Sequence, residues 1–171
     1  SLPRMAFDNA HALIFTGANA MDIADNCAKE VFEIEQKRAS VLIPIIKGWI
    51  TELSVLHCSS GLQVHGGMGF IEETGAAQYF RDSRILPIYE GTTAIQANDL
   101  MFRKTIRDEG QTIRFLIEEI EKEMEKVDDN YSKPMSNAIA DVIATLETLL
   151  SKANDSRYLA ANGVNWLMQL G

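Results

Sequence analysis

The sequence predicts an all-α fold, an up-and-down helical bundle followed by further helices. Apolar residues recur at i, i+3, i+4 and i+7 spacing through several long stretches, which is the period of a helix. No stretch shows the sustained alternation of apolar and polar residues that indicates a β-strand. With 171 residues, the chain is long enough to bury a core without disulfides or metals.

The N-terminal part is expected to form two long helices. Residues from Met5 to about Glu30 carry apolar side chains at helical spacing without an interrupting proline. A second helix is predicted to start at Pro44, because a proline costs little at the first helical position, and to stop at Gly66 and Gly67. Its expected buried stripe comprises Ile46, Trp49, Ile50, Leu53, Leu56 and Leu62.

The middle of the chain predicts shorter elements. A short helix is expected over about residues 76–84, and Pro87 then favours an extended link. A further helix is expected to begin at Thr92 or Thr93 and to end near Gly110. The residues that this helix should bury are Ile95, Leu100, Met101 and Ile106.

The C-terminal third has the clearest helical pattern. Residues 113–127 place apolar side chains on one face and Glu and Lys on the other, which predicts one amphipathic helix. A turn is expected over 128–134, followed by a second helix and by a last helix capped by Asn154 or Asp155. We therefore expect a helical domain over residues 1–109 and a helical extension over residues 110–171, one that stops inside a larger extension.

Composition narrows the classes of partner. The net charge of −8 argues against nucleic-acid binding, since phosphate contacts need clustered Lys and Arg. No uninterrupted apolar run reaches the eighteen or so residues that span a bilayer; the run over 41–46 contains Pro44, so no membrane span is predicted. Cys27 and Cys58 lie in helical patterns without metal-ligand spacing, which predicts free thiols in a reducing, cytoplasmic compartment and no metal site. Since the first residue is Ser1, we expect a piece of a longer chain.

Glycines and charged groups over 63–92 point to chemistry, because glycine allows backbone to approach another group closely. Gly66, Gly67 and Gly69 form a turn whose N–H groups can bind phosphate, although a plain helix cap fits the same spacing. His65 has no second ligand at suitable spacing and is expected to be structural.

Glu90 lies between Tyr89 and Gly91, just before a predicted helix start. A carboxylate held in an apolar cleft is a useful proton acceptor near neutral pH. The same position also suits a carboxylate that only stabilises the helix dipole. The residues by themselves leave both interpretations open.

The ordered series of motifs strongly resembles the C-terminal helical domain of the acyl-CoA dehydrogenases. The motifs are LQVHGGMGF at 62–70, Arg81 with Asp82, IYEGT at 88–92, and IQ at 95–96. The resemblance covers about residues 1–107. The residues beyond Gly110 look like the start of the extension in the larger bacterial members, similar to methylmercaptopropionyl-CoA dehydrogenases.

The resemblance implies an FAD enzyme that converts an acyl-CoA thioester to the trans-2-enoyl-CoA and passes electrons to an electron-transferring flavoprotein. Glu90 would remove the proton alpha to the thioester while the flavin takes a hydride from the beta carbon. The backbone N–H of Glu90 would bind the thioester oxygen. Tyr89, Glu90 and Gly91 would thus contact the substrate.

The resemblance also implies that Gln63, Gly66 and Gly67 contact FAD of a neighbouring subunit, and that Thr92 contacts FAD of its own subunit. A homo-oligomer, dimer or tetramer, follows from this sharing. The family's N-terminal helical and middle β-domains are missing, so the chain by itself is expected to bind FAD weakly and to be inactive. The alternative is a non-catalytic helical oligomerisation module derived from the same family.

Overall fold

The computed structural model describes residues 2–26 and 29–171, and within these residues there is no β-strand. This confirms the all-α prediction. The helices are α1 Leu2–Asn26, α2 Lys29–Ile45, π1 Ile46–Ile50, α3 Thr51–Val64, α4 Gly67–Phe70, α5 Ala76–Ser83, α6 Thr93–Asn98, π2 Asp99–Ile106, α7 Gln111–Met124, α8 Asp129–Ser151 and α9 Ser156–Leu170, where π1 and π2 are π-helical; Glu72–Thr74 forms a 3₁₀ turn.

The second predicted helix is much longer than expected. Its predicted start at Pro44 is wrong, because α2 begins at Lys29 and Pro44 lies inside the helix. A proline there removes a backbone hydrogen bond and crowds the preceding turn, and the π1 turn that follows directly is a wider form of helix. The predicted stop is confirmed, since α3 ends at Val64. Leu56, expected to be buried, is 64% exposed.

Overlapping turns, rather than the predicted extended link, connect α5 to α6. The N–H of Leu86 donates to the Ser83 carbonyl at 3.2 Å, and the N–H groups of Ile88 and Tyr89 both donate to the Ile85 carbonyl. Proline restricts the residue before it but leaves the following N–H groups free to bond backwards. The expected short helix is confirmed as α5.

The predicted helix after the turns is confirmed. Thr92 caps α6 by accepting the N–H of Ile95 at 3.4 Å, and the helix continues through π2. Leu100 and Met101 are buried as expected, whereas Ile95 is 58% exposed. The apolar spacing predicted that Ile95 is buried, whereas α6 packs through Ala97 instead.

The C-terminal helices confirm most of the predicted pattern. The exception is the turn expected over 128–134, because α8 begins at Asp129 and includes Pro134. Asp128 caps this helix by accepting the N–H of Asn130, which sets its start before the proline. Asp155 caps α9 through the N–H of Tyr158 at 3.0 Å, as predicted.

One hydrophobic core joins residues from both sides of position 109. Helix α9 packs on α6, π1 and π2. Trp166 donates from Nε1 to Oγ1 of Thr105 at 2.9 Å inside this core, and Gly48 leaves space for Leu167. The core residues are Val41, Ile45, Ala97, Leu100, Met101, Ile113, Ile117, Ile139, Leu146, Leu149, Leu159, Trp166 and Leu167.

One helical stretch among the described residues, Val31–Val64, is long and apolar enough to cross a membrane by length and composition. The stretch has a high mean hydropathy although charged residues such as Lys47 interrupt its apolar runs. A core helix of a soluble protein passes the same test, and Val41, Ile45 and Gly48 of this stretch are buried. The absence of a membrane span stays a prediction.

Cys58 is a free, half-buried thiol, as predicted. Cys27, for which the same was predicted, lies outside the described residues.

Candidate functional site

Glu90 and Gly91 form a bend with two successive positive φ angles, 50° and 96°. A non-glycine residue with positive φ is uncommon and persists where its surroundings hold it. The Glu90 carbonyl accepts a long hydrogen bond, 3.5 Å, from Nε2 of Gln96, and the N–H of Thr93 donates to the Pro87 carbonyl. Hydrogen bonds between residues just before and just after the bend therefore stabilise it at the start of α6.

The long helical rod formed by α2, π1 and α3 holds the segment that contains the bend. Before the bend, Nζ of Lys47 donates to the Leu86 carbonyl and lies 4.9 Å from the centroid of the Tyr89 ring. After the bend, Oγ1 of Thr93 donates to Oε1 of Glu52 at 2.6 Å. The sequence analysis missed Lys47 and Glu52, which are distant in sequence from the motif that they support.

The Glu90 side chain lies at the surface of this chain and not in a closed cleft. Thr92 is exposed as well, and large apolar side chains around the bend are also uncovered: Ile88, Tyr89 and Ile95 are 51%, 47% and 58% exposed. Exposed apolar groups of this kind are typical of a surface that further protein or a ligand covers.

The second predicted site lies beyond the end of α3. Gln63, Gly66 and Gly67 are exposed, and a Cβ added at either glycine would meet no atom within 4 Å. The backbone there is open to a ligand, and the first N–H groups of the short α4 helix have no acceptor within that helix. The N–H groups of Gly66 and Gly69 donate to the Gln63 and Gly66 carbonyls, so it is the exposed backbone at Gly67 that fits a phosphate-bearing cofactor such as FAD.

The neighbouring residues have structural roles. A Cβ on Gly69 would lie within 2.4 Å of the Leu62 carbonyl oxygen, so this glycine serves close packing. His65 forms the C-terminal cap of α3 and is exposed. In the part of the chain that the structure describes, no three His, Cys, Asp or Glu side chains form a group able to hold a metal.

An apolar groove of about 470 Å³ adjoins the glycines. Arg81 forms one side of it and makes a bidentate pair with Glu72, at 2.6 and 2.7 Å, which raises the pKa of the Arg81 guanidinium. The motif arginine is therefore already paired within this chain. Val64 and Phe70, on either side of the glycines, are 87% and 88% exposed.

The two predicted sites lie at opposite ends of α3. Thr93 bonds to Glu52 in the first turn of this helix, and the open glycines follow its last residue. Since α3 has 14 residues and a helix rises 1.5 Å per residue, the ends are about 20 Å apart. The fold thus presents two separate surfaces, one with the carboxylate and one with the open backbone.

Residues 7–104 match the family model described as "Acyl-CoA dehydrogenase, C-terminal domain", which is more than half of the chain. The chain belongs to the acyl-CoA dehydrogenase family. This confirms the resemblance drawn from the motifs. The bend with Glu90 and the open glycines both lie in the part of the chain that matches the acyl-CoA dehydrogenase domain.

Several curated proteins are similar to the chain. The 3-methylmercaptopropionyl-CoA dehydrogenase of Ruegeria pomeroyi is 43% identical over 98% of this chain and 30% of its own length. The broad-specificity linear acyl-CoA dehydrogenase FadE5 of Mycobacterium tuberculosis is 34% identical over 94% of this chain and 25% of its own length. The caffeyl-CoA reductase-Etf complex subunit CarC of Acetobacterium woodii is 31% identical over 51% of this chain and 20% of its own length. The chain thus spans less than a third of the length of each.

Helix α9 covers the position that follows the motif residues Ile95 and Gln96. Ala97 occupies this position and is 1% exposed. A Cβ added to Gly163 of α9 would lie 3.5 Å from the Ala97 carbonyl oxygen, so α9 closes directly over this position. A long charged side chain has no space there.

Proposed function

We propose that this chain is the C-terminal helical part of an FAD-dependent acyl-CoA dehydrogenase, which converts an acyl-CoA thioester to the trans-2-enoyl-CoA. We assign the family domain to residues 1–109 and its extension to residues 110–171. The observation that carries the proposal is the held, strained bend at Glu90 and Gly91 within a chain of this family.

Glu90 acts as the base in this proposal and takes the proton from the carbon alpha to the thioester. Glu90 is exposed, and in this proposal its N–H binds the thioester oxygen and stabilises the negative charge that develops there. Tyr89 and Gly91 complete the substrate contact. FAD, when bound, supplies the two-electron oxidising chemistry that protein side chains lack. Covering of this surface by the rest of the protein excludes water from the carboxylate.

The residues that hold FAD form two groups. Gln63, Gly66 and Gly67 offer open backbone to the diphosphate of an FAD in a neighbouring subunit. Thr92 serves the FAD of its own subunit, because its hydroxyl oxygen accepts the N–H of Ile95 while its proton stays free to donate. The separation of about 20 Å between the groups fits a cofactor shared across a dimer or tetramer.

The electron acceptor in this proposal is an electron-transferring flavoprotein. Support comes from the similar CarC protein, which is named as a subunit of an Etf complex. The acidic balance of the chain, with a net charge of −8, gives no support to nucleic acid as a partner. We assign the protein to the cytoplasm and expect no membrane span.

The test uses the full-length protein that contains this domain. It is mixed anaerobically with a panel of acyl-CoA thioesters, and the loss of oxidised flavin absorbance is followed beside a Glu90→Gln variant. We expect bleaching in the parent and a rate lower by roughly 10²–10⁴-fold in the variant, the usual contribution of a general base. Equal bleaching in the parent and the variant would show that a residue other than Glu90 acts as the base. The 171-residue chain alone is expected to retain little FAD and to show no turnover, so stoichiometric flavin in it would contradict the expected weak binding of FAD.

A non-catalytic oligomerisation module is the second candidate. The nearly complete exposure of Val64 and Phe70 favours it, because such side chains suit a subunit interface. Full-length protein that forms oligomers but purifies without flavin and does not take up added FAD would support this candidate over the enzyme.

A further inference from the structure

The segment that carries Glu90 depends on contacts from outside itself. Glu90 and its neighbours Tyr89 and Thr92 are exposed, so little apolar burial fixes their positions. Two polar contacts from the long helical rod lie on either side of the bend, one from Lys47 to the Leu86 carbonyl and one from Glu52 to the Thr93 hydroxyl. These contacts therefore hold the chain on both sides of Glu90.

Lys47 and Glu52 are five residues apart along the rod, with Lys47 in the π1 turn, Ile46–Ile50, and Glu52 in the first turn of α3. In a regular α-helix, residues five apart differ by about 140° around the axis and face different sides. In a π-helix the backbone hydrogen bond spans five residues, which brings residues at this spacing closer to the same side. A π-helical turn at this position therefore favours contact of both side chains with one segment.

The π1 turn has its own local support. Oγ1 of Thr51 donates to the Lys47 carbonyl at 2.6 Å and lies 3.2 Å from the Gly48 carbonyl, which satisfies acceptors where the helical ladder is irregular. Pro44, just before the turn, removes one backbone N–H from that ladder. Pro44, which disturbs the regular helix, thus lies next to the π1 turn.

Each contact is of a strong type. The hydrogen bond from Thr93 to Glu52 is charge-assisted, 2.6 Å long and partly buried. Lys47 is half-buried; it combines a hydrogen bond to the Leu86 carbonyl with a cation–π contact to Tyr89. Both resist the relaxation of the positive φ at Glu90, which an unconstrained glutamate rarely adopts.

We propose that Lys47 and Glu52, aligned by the π1 turn, form a clamp on residues 86–93 and act as positioning residues for the base Glu90. This rests on the proposed function. The clamp acts through the backbone of the Glu90 segment, so its loss should lower kcat more than it raises KM, and should have no effect once the Glu90 carboxylate is gone.

The first test concerns the clamp alone and uses the 171-residue chain. Thr93→Val removes the hydroxyl that Glu52 binds while keeping the side-chain shape, Thr93→Ser restores a hydroxyl, and Lys47→Met removes the ammonium. Hydrogen exchange of the backbone amides over 86–93 is expected to accelerate at least tenfold in Thr93→Val and Lys47→Met, and to stay near the parent rate in Thr93→Ser. The matched controls are Thr148→Val and Lys37→Met, which alter an exposed threonine and an exposed lysine elsewhere. Unchanged exchange over 86–93 in both Thr93→Val and Lys47→Met would overturn the clamp.

The second test concerns positioning and uses the full-length enzyme. Thr93→Val should lower kcat about tenfold with KM changed less than threefold, and Thr93→Ser should recover most of the rate. In the Glu90→Gln background, Thr93→Val should cause no further loss, because the two changes act through the same group. A full additional tenfold loss in that background would show that Thr93 acts independently of Glu90 and would overturn the positioning role.

The two tests separate the two proposals. If Glu90→Gln bleaches flavin as fast as the parent, the proposed function of Glu90 fails, and hydrogen exchange still decides the clamp. If Glu90→Gln is slow while Thr93→Val and Lys47→Met react at the parent rate, the base stands and the positioning role is overturned.

Discussion

The chain contains two Glu-Gly pairs with the same unusual backbone. Glu90 and Gly91 have φ angles of 50° and 96°, and Glu109 and Gly110 have φ angles of 53° and 72°. The second pair directly precedes α7, Thr92 alone separates the first pair from α6, and both glutamate side chains are exposed. The shared conformation is thus a way to start a helix after a sharp bend, and by itself it does not mark a reactive site.

The surroundings of the two pairs differ. Gly110 is buried, and a Cβ there would lie 3.0 Å from the Leu146 side chain in the core. Gly91 is half-buried, and a Cβ there would lie 2.9 Å from Nε2 at the far end of the Gln96 side chain and 3.6 Å from Cγ2 of Ile95. One bend is therefore fixed by core packing, whereas the other is held by polar contacts at an exposed edge. The second arrangement leaves a surface at which a ligand can bind.

The largest difference should appear in catalysis. Glu90→Gln should lower the rate of flavin reduction in the full-length enzyme by roughly 10²–10⁴-fold, because it removes the proposed base. Glu109→Gln makes the same chemical change in the same backbone conformation and should leave the rate within twofold. Stopped-flow measurement of both variants tests the comparison directly. Similar losses in the two would mean that net charge, and not the position of Glu90, controls the rate.

A smaller difference should appear in stability. Gly110→Ala places a methyl group at positive φ and against Leu146, which should cost about 2–4 kcal/mol from strain and overpacking together. Gly91→Ala introduces the same backbone strain, but the Gln96 side chain can move aside. The free energy of unfolding is therefore expected to fall by about 1 kcal/mol. Urea unfolding of the 171-residue chain measures both. An equal loss at the two sites would show that the Leu146 contact adds nothing.

The smallest difference concerns the caps. Oδ2 of Asp108 accepts the N–H of Thr112 at 2.7 Å, and the Thr92 hydroxyl accepts the N–H of Ile95 at 3.4 Å. Because the first bond is shorter and charge-assisted, Asp108→Ala should cost about 1–2 kcal/mol and Thr92→Ala about 0.5 kcal/mol. Thermal unfolding of the two variants should rank them in that order, and the reverse order would contradict the assignment of the stronger cap to Asp108.

The sequence predicted those parts of the fold that depend on local pattern. Helix α7 follows from apolar spacing, and α9 follows from apolar spacing together with the Asp155 cap, because each buries one continuous stripe. The course of the chain around Pro44 could not be predicted in this way. A proline is tolerated inside a helix when a π-helical turn follows, and that depends on packing against the other helices.

The contacts that support the candidate site could not be predicted from the sequence. The family motifs, which are contiguous in sequence, predict Glu90 and the glycines as site residues, and these assignments stay predictions. The contacts to the same segment come from Lys47 in π1 and Glu52 in α3, about forty residues earlier, and only the fold brings them together. Periodicity also misplaced Leu56 and Ile95, since it indicates a helical face without showing whether another element covers that face.

The buried hydrogen bond between Trp166 and Thr105 has a practical consequence. Trp166 is 1% exposed, and its indole joins α9 to π2. Its fluorescence should be shifted to short wavelength while these helices are packed together and should move to long wavelength when water reaches the indole. A Trp49→Phe variant leaves Trp166 as the sole tryptophan, so the chain then carries its own optical reporter of whether α9 is packed on π2.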